Sequence, residues 1–206
     1  QLAMATKLTI HQGKTFTRVL RWESPVLTYK SITGITNAAP VVITVPSHGI
    51  PDGWRVSLSS VGGMTQINAK NNPPKASDDP YKSDYKTATL VSANAISLNL
   101  VNSSEFDAFS SGGYVQFGTP IDLAGYTARL TIKDKVGGTV LLSLTTENGG
   151  IVIDNGAKTI TLTIAATATD DFVWTKGVFD MEMVSSTGVV SELLAGTVTV
   201  VKEVTT

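Results

Sequence analysis

The chain has no cysteine. That absence removes disulfides, thiolate-bound zinc and cysteine nucleophiles together. Histidine is almost as scarce, with two in 206 residues, His11 and His48. Two histidines far apart in sequence, with no thiol to complete a ligand set, make a poor zinc site. Charged residues are 16% of the chain and the net charge is −1, so no global field draws the protein toward nucleic acid or an anionic membrane. No apolar run reaches the roughly 18 residues of a membrane-spanning helix. The start shows no secretory pattern, because Met4 to Lys7 leads into a short strand rather than an apolar stretch. Met4 is expected to be the initiator, with Gln1, Leu2 and Ala3 outside the fold. Long helical periodicity is missing as well. Only Ala165 to Asp171 could make a helical turn.

What the chain has in quantity is Thr, Ser, Val and Gly, set in short runs that alternate with a period of two. This is an all-β composition. In Tyr126 to Lys133, Tyr126, Ala128, Leu130 and Ile132 share one side; Thr127, Arg129, Thr131 and Lys133 share the other. That is the pattern of a half-buried strand. Ile160, Leu162 and Ile164 oppose Thr159, Thr161 and Thr163. Phe179, Met181 and Met183 oppose Val178, Asp180 and Glu182, and Val198 and Val200 oppose Thr197 and Thr199. Each strand has one apolar face, as two sheets packed face to face require. Leu130, Ile132, Ile160, Leu162, Phe179 and Met181 are the expected core. At the start, Lys7–Ile10 and Thr15–Trp22 flank the turn Gln12-Gly13-Lys14 and read as a hairpin. Arg18 interrupts the apolar side of the second strand, and Ser24-Pro25 break the pattern.

From Ser31 a different unit begins. The segments ITGITNA (Ile32–Ala38), HGIPDG (His48–Gly53), VGGMTQIN (Val61–Asn68), NAIS (Asn94–Ser97) and SSGGYV (Ser110–Val115) occur in that order. This stretch resembles the FCCH domain, a small β-barrel described in ubiquitin-activating enzymes and found as an insert in phage structural proteins. The resemblance implies a fold and no ubiquitin chemistry, since the catalytic cysteine of those enzymes lies outside the module. Lys70 to Asp84, KNNPPKASDDPYKSD, is longer and more polar than the usual turn of that family, and reads as a protruding contact loop.

The two ends of the chain carry a second resemblance. PIDLAGYTARLTIKD (Pro120–Asp134), with Gly137–Ile153, Lys158–Phe172, Gly177–Val204 and the opening strands Lys7–Trp22, is similar to the β-sandwich at the N-termini of phage upper baseplate (BppU-N-like) proteins. The expected architecture is therefore all-β: a discontinuous Ig-like sandwich of residues 4–30 and 118–206, interrupted by an FCCH-like barrel over 31–117. The resemblance implies a structural virion protein of a phage tail, baseplate or collar, assembled in the bacterial cytoplasm. Its partners would be other tail or baseplate proteins and further copies of itself, with no nucleic acid and no membrane.

His48 with Asp52 and the abundant serines allow a Ser-His-Asp triad on paper. No GxSxG-type elbow is present, however, and a His-Gly turn suits the module. His11 reads as a turn residue. Asp78, Asp79 and Asp84 could gather calcium, but they lack EF-hand order and Lys75, Lys82 and Lys86 interleave with them. Asp170-Asp171 reads as starting or capping a turn. Asp180 and Glu182 sit two apart on a strand and define no cleft for glycosidase chemistry. Trp54, Tyr81, Tyr85, Phe106 and Phe109 could stack on sugars or pack across a barrel. No catalytic residue, metal ligand or cofactor is therefore assigned. The contact candidates, for a protein partner or a host glycan in a carbohydrate-binding alternative, are Trp54, Lys75, Asp78, Asp79, Tyr81 and Tyr85.

Overall fold

The structure, a computed structural model, describes residues 5–70 and 80–204. Strand takes up 52% of the described residues and helix 6%, which is the all-β class that the alternation predicts. The chain forms two compact units, Gln1–Trp22 with Asp122–Thr206, and Glu23–Ile121.

In chain order, β1 (Ala5–His11) and β2 (Phe16–Leu20) come first. The inserted unit follows with β3 (Glu23–Ser31), β4 (Gly34–Ile35), β5 (Val41–Thr44), β6 (Arg55–Gly62), β7 (Lys86–Thr87), β8 (Thr89–Ser92), β9 (Ala95–Leu98) and β10 (Ser111–Pro120). The first unit resumes with β11 (Thr127–Lys133), β12 (Val140–Thr145), β13 (Ile151–Asp154) and β14 (Thr159–Ile164). It ends with the short helix α1 (Ala166–Asp170), β15 (Lys176–Val184) and β16 (Val190–Val201).

The discontinuous unit has a five-stranded sheet, β1-β16-β15-β11-β12, and a three-stranded sheet, β13-β14-β2. Their apolar faces meet in the core. Leu130, Ile132, Phe179 and Met181 from one sheet, and Ile160 and Leu162 from the other, are all at most 4% exposed. Burying side chains of this size stabilises by about 1.5–3 kcal/mol each. The expected core of this unit is thus the observed one.

The opening hairpin is not formed. β1 runs parallel to β16, with Leu8 opposite Val198, whereas β2 pairs antiparallel with β14, with Leu20 opposite Ile160. The intervening turn carries the chain from one layer to the other and is fastened elsewhere. The Gln12 side chain donates to the Asp170 carbonyl at 2.8 Å, and Thr169 Oγ1 donates to the Lys14 carbonyl at 2.8 Å. The parallel pairing depends on Gly196, whose missing Cβ leaves room for the Thr6 backbone. Arg18 now has a reason. It occupies a core-side register position of an edge strand and is exposed, and a charge on a sheet edge discourages a further strand from adding. Asp170 and Asp171 close helix α1 rather than start it.

The inserted unit starts earlier than the break at Ser24-Pro25 suggests. β3 pairs with β10 from Ser31 opposite Tyr114 down to Glu23 opposite Pro120, with an irregularity between Gly118 and Pro120. Pro25 fits because β3 is an edge strand and the irregularity removes it from the ladder. The strands from Glu23 to Ser31 and the end of β10 therefore belong to the insert.

No closed barrel forms among the described residues. The insert consists of two four-stranded sheets, β3-β10-β6-β7 and β4-β5-β9-β8. The chain leaves one sheet for the other at two corners. Ile32 N–H bonds to Gly113 while Thr33 N–H bonds to Thr44, and Ala88 N–H bonds to Trp54 between β7 and β8. Between the sheets lies one core that includes Ile43, Trp54, Val56, Leu58, Ile96 and Phe117. Leu100, which continues the alternation of Ile96 and Leu98, falls past the end of β9 and is 98% exposed.

Candidate functional site

The HGIPDG loop is where a histidine and an aspartate come closest to a catalytic pattern, and its geometry shows what each does. His48 is buried. Its Nδ1 accepts the Ile50 N–H at 2.9 Å, and its Nε2 lies 2.9 Å from the Ser92 carbonyl. A carbonyl only accepts, so Nε2 carries the proton and the ring is neutral. Both nitrogens are therefore spent on backbone, and neither can take a proton from a serine. Asp52 accepts the Leu90 N–H at 2.9 Å. The loop thus binds Leu90 and Ser92 of the edge strand β8.

The other motif residues of the insert fasten turns in the same way. Asn68 makes a paired contact with the Val61 backbone, accepting its N–H at 2.9 Å and donating to its carbonyl at 3.0 Å. Asn37 donates to the carbonyls of Ser103 and Phe106, and the buried Ser103 hydroxyl donates to the Thr36 carbonyl at 2.7 Å. Gly63, at φ +78°, stands against the Ala108 carbonyl, where a side chain has no room.

The predicted contact residues divide. Trp54 is not available to a partner. It is fully buried in the insert core and donates its Nε1–H to the Gly118 carbonyl at 2.9 Å. Its size and apolarity win over its loop position in sequence. Tyr81 is 60% exposed, with Lys70 Nζ 5.8 Å from its ring centre. Tyr85 is half-buried under the Arg55 guanidinium, 4.5 Å from the ring centre. Arg55 Nε also reaches both carboxylate oxygens of Glu23, at 2.8 and 2.9 Å. Lys75, Asp78 and Asp79, and with them the middle of the Lys70–Asp84 loop, lie outside the described residues. The end of that loop is built in, because Lys82–Asp84 form a 3-10 turn and Asp84 accepts the Lys70 N–H at 2.9 Å. Phe106 and Phe109 pack against the insert core.

Two further acidic groups are engaged in structure. Glu182 pairs with Arg129 at 2.6 Å across β15 and β11. Asp122 sits in the turn before β11, where hydrogen bonds from Asn155 and then Lys158 hold its carboxyl below the usual range. Among the described residues no group of three or more His, Asp or Glu could hold a metal ion. A cavity of about 200 Å³ in the insert, floored by Leu58, Ile67 and Leu98, has Asp84 and Lys86 at its rim. It is smaller than the roughly 300–1,000 Å³ of most small-molecule sites. An open groove of about 480 Å³ crosses the outer face of the five-stranded sheet, between Lys133, Val136 and Asp180.

One exposed feature escaped the sequence reading. Tyr29 on β3 and Tyr114 on β10 meet edge to face, with ring centres 6.3 Å apart and planes at 85°. They share one face of the β3-β10-β6 sheet with Ser31, which is exposed, and with Ser57, Ser59 and Gln116, which are fully buried. The alternation Arg55-Val56-Ser57-Leu58-Ser59 carries the signal for this face. The pattern break placed at Ser24-Pro25 concealed Tyr29.

No family model matches the chain, and no curated protein matches it.

Proposed function

We propose that the chain is a structural component of a bacteriophage particle, in its tail, baseplate or collar, and that it acts through non-covalent protein contacts. What supports this reading is the nesting. The segments that resemble phage baseplate sandwiches stand at the two ends of the chain, and the segments that resemble FCCH domains stand between them. The compact units divide at Trp22/Glu23 and Ile121/Asp122, close to where one resemblance gives way to the other. The role assigned to the sandwich is docking to neighbouring copies or to the tail. His48 and Asp52 serve the backbone of β8, which gives the contact reading preference over a hydrolase.

The test has two arms. The genes flanking this one should encode tail or baseplate proteins; a metabolic operon would overturn the proposal. Light scattering on the purified chain, alone and with the products of those neighbours, should show self-association or a mixed complex. A chain that stays monomeric and binds none of them would also overturn it.

A further inference from the structure

We propose that the Tyr29–Tyr114 corner is a stacking site for a neutral sugar ring. Each tyrosine is about two-fifths exposed, at 41% and 42%, although both sit within paired strands. The edge-to-face arrangement, with planes at 85°, turns the two ring faces at right angles. A six-membered sugar can lie on one face while its edge meets the other. Sugars present C–H bonds on their faces and hydroxyls at their rims, so their sites join an aromatic face to neutral polar groups.

The surrounding face has that character. Ser31 lies opposite Tyr114 on β3 and is exposed, while Ser59, opposite it on β6, and Gln116, flanked by Tyr29 and Ser57, are fully buried, as is Ser57. The hydroxyls of Ser57 and Ser59 are buried on this side and have no hydrogen-bond partner. The charge on the face is balanced, because Arg55 is held by Glu23 at 2.8 Å. Lys30, between Tyr29 and Ser31 in sequence, belongs to the other side of β3 by alternation. An uncharged corner suits a neutral glycan and gives nothing to hold a phosphate or sulfate. Tyr81 is more exposed but is a poorer candidate, since Lys70 stands over its ring.

This inference goes beyond the assembly reading and does not depend on it. It is tested on the full chain by titration with a panel of neutral gluco-, galacto- and N-acetylglucosamine oligosaccharides, followed by NMR or calorimetry. At least one class should bind in the low-millimolar range. Y29A and Y114A should each weaken that binding at least about tenfold, and Y81A should leave it unchanged. Y114F should retain most of the affinity, which separates loss of the ring from misfolding, and melting curves should show the variants folded. Absence of binding by every neutral sugar overturns the proposal. So does binding that survives Y29A and Y114A, or binding of anionic oligosaccharides alone. If the alanine variants alter self-association and no sugar binds, the corner is a protein contact and the proposal fails while the assembly reading stands.

Discussion

His48 ties its own loop, through the Ile50 N–H, to the Ser92 carbonyl of β8 with two hydrogen bonds. Removing the ring strands the Ile50 N–H and the Ser92 carbonyl. An unsatisfied buried polar group costs about 1–3 kcal/mol. H48A should therefore lower the unfolding free energy, measured by urea denaturation, by about 1–3 kcal/mol, chiefly through the buried Ile50 N–H. If stability stayed unchanged, the loop would not be held as described. Trp54 makes a related point. Its indole N–H finds a carbonyl inside the core, and that partner lets so large an amphipathic side chain be fully buried. An exposed tryptophan in the same loop would have been a natural contact residue; this one belongs to the packing.

At the scale of strands, edges determine what the sheets can do. β2 closes one side of the three-stranded sheet and carries Arg18 on its core-side register, opposite Leu162. Val19, on the other face, is 51% exposed. Without the arginine this strand would be a short apolar edge open to pairing. Arg18→Val is thus expected to keep the secondary structure and melting temperature of the parent and to raise its self-association, read by light scattering at rising concentration. Unchanged association would mean that the edge is protected by something other than Arg18. β8 is protected differently, by the side chains of His48 and Asp52 on its backbone. β3 uses Pro25 and an irregular register. Three edges are guarded in three different ways, and in none of them does the sequence motif itself announce the purpose.

At the scale of the molecule, among the described residues the strands of the discontinuous unit pair only with one another, and so do those of the insert. The two crossing points are also adjacent. Glu23 and Pro120 are partners across β3 and β10, so the chain enters and leaves the insert at one place. That arrangement is what a tolerated domain insertion needs. Joining Trp22 to Asp122 through a short Gly/Ser linker should therefore give a folded sandwich, with β-type circular dichroism and a cooperative melt. Residues 23–121 expressed alone should fold as well. A molten product from the first, with the second well folded, would show that the sandwich needs its insert.

The sequence by itself determined the class of fold and the facing of most strands. Those features are local: a period of two, repeated over four or more residues, specifies which side is apolar whatever the strand's neighbours are. Thus Leu130 and Ile160 could be assigned to the core from their own segments. The sequence also identified the HGIPDG and VGGMTQIN turns, though their partners at Ser92, Leu90 and Val61 became visible only in the fold. Tertiary structure alone decided which strands pair. β1 and β2 are neighbours in sequence, yet each takes a partner from the far end of the chain, β16 and β14. The apolar faces of both are satisfied more fully against those distant strands than in a two-stranded hairpin, which buries too little to be stable alone. The same holds for the surface. Trp54 went inward, and Tyr29 and Tyr114 were brought together on paired strands, because contact between residues far apart in sequence is set by register and not by local pattern.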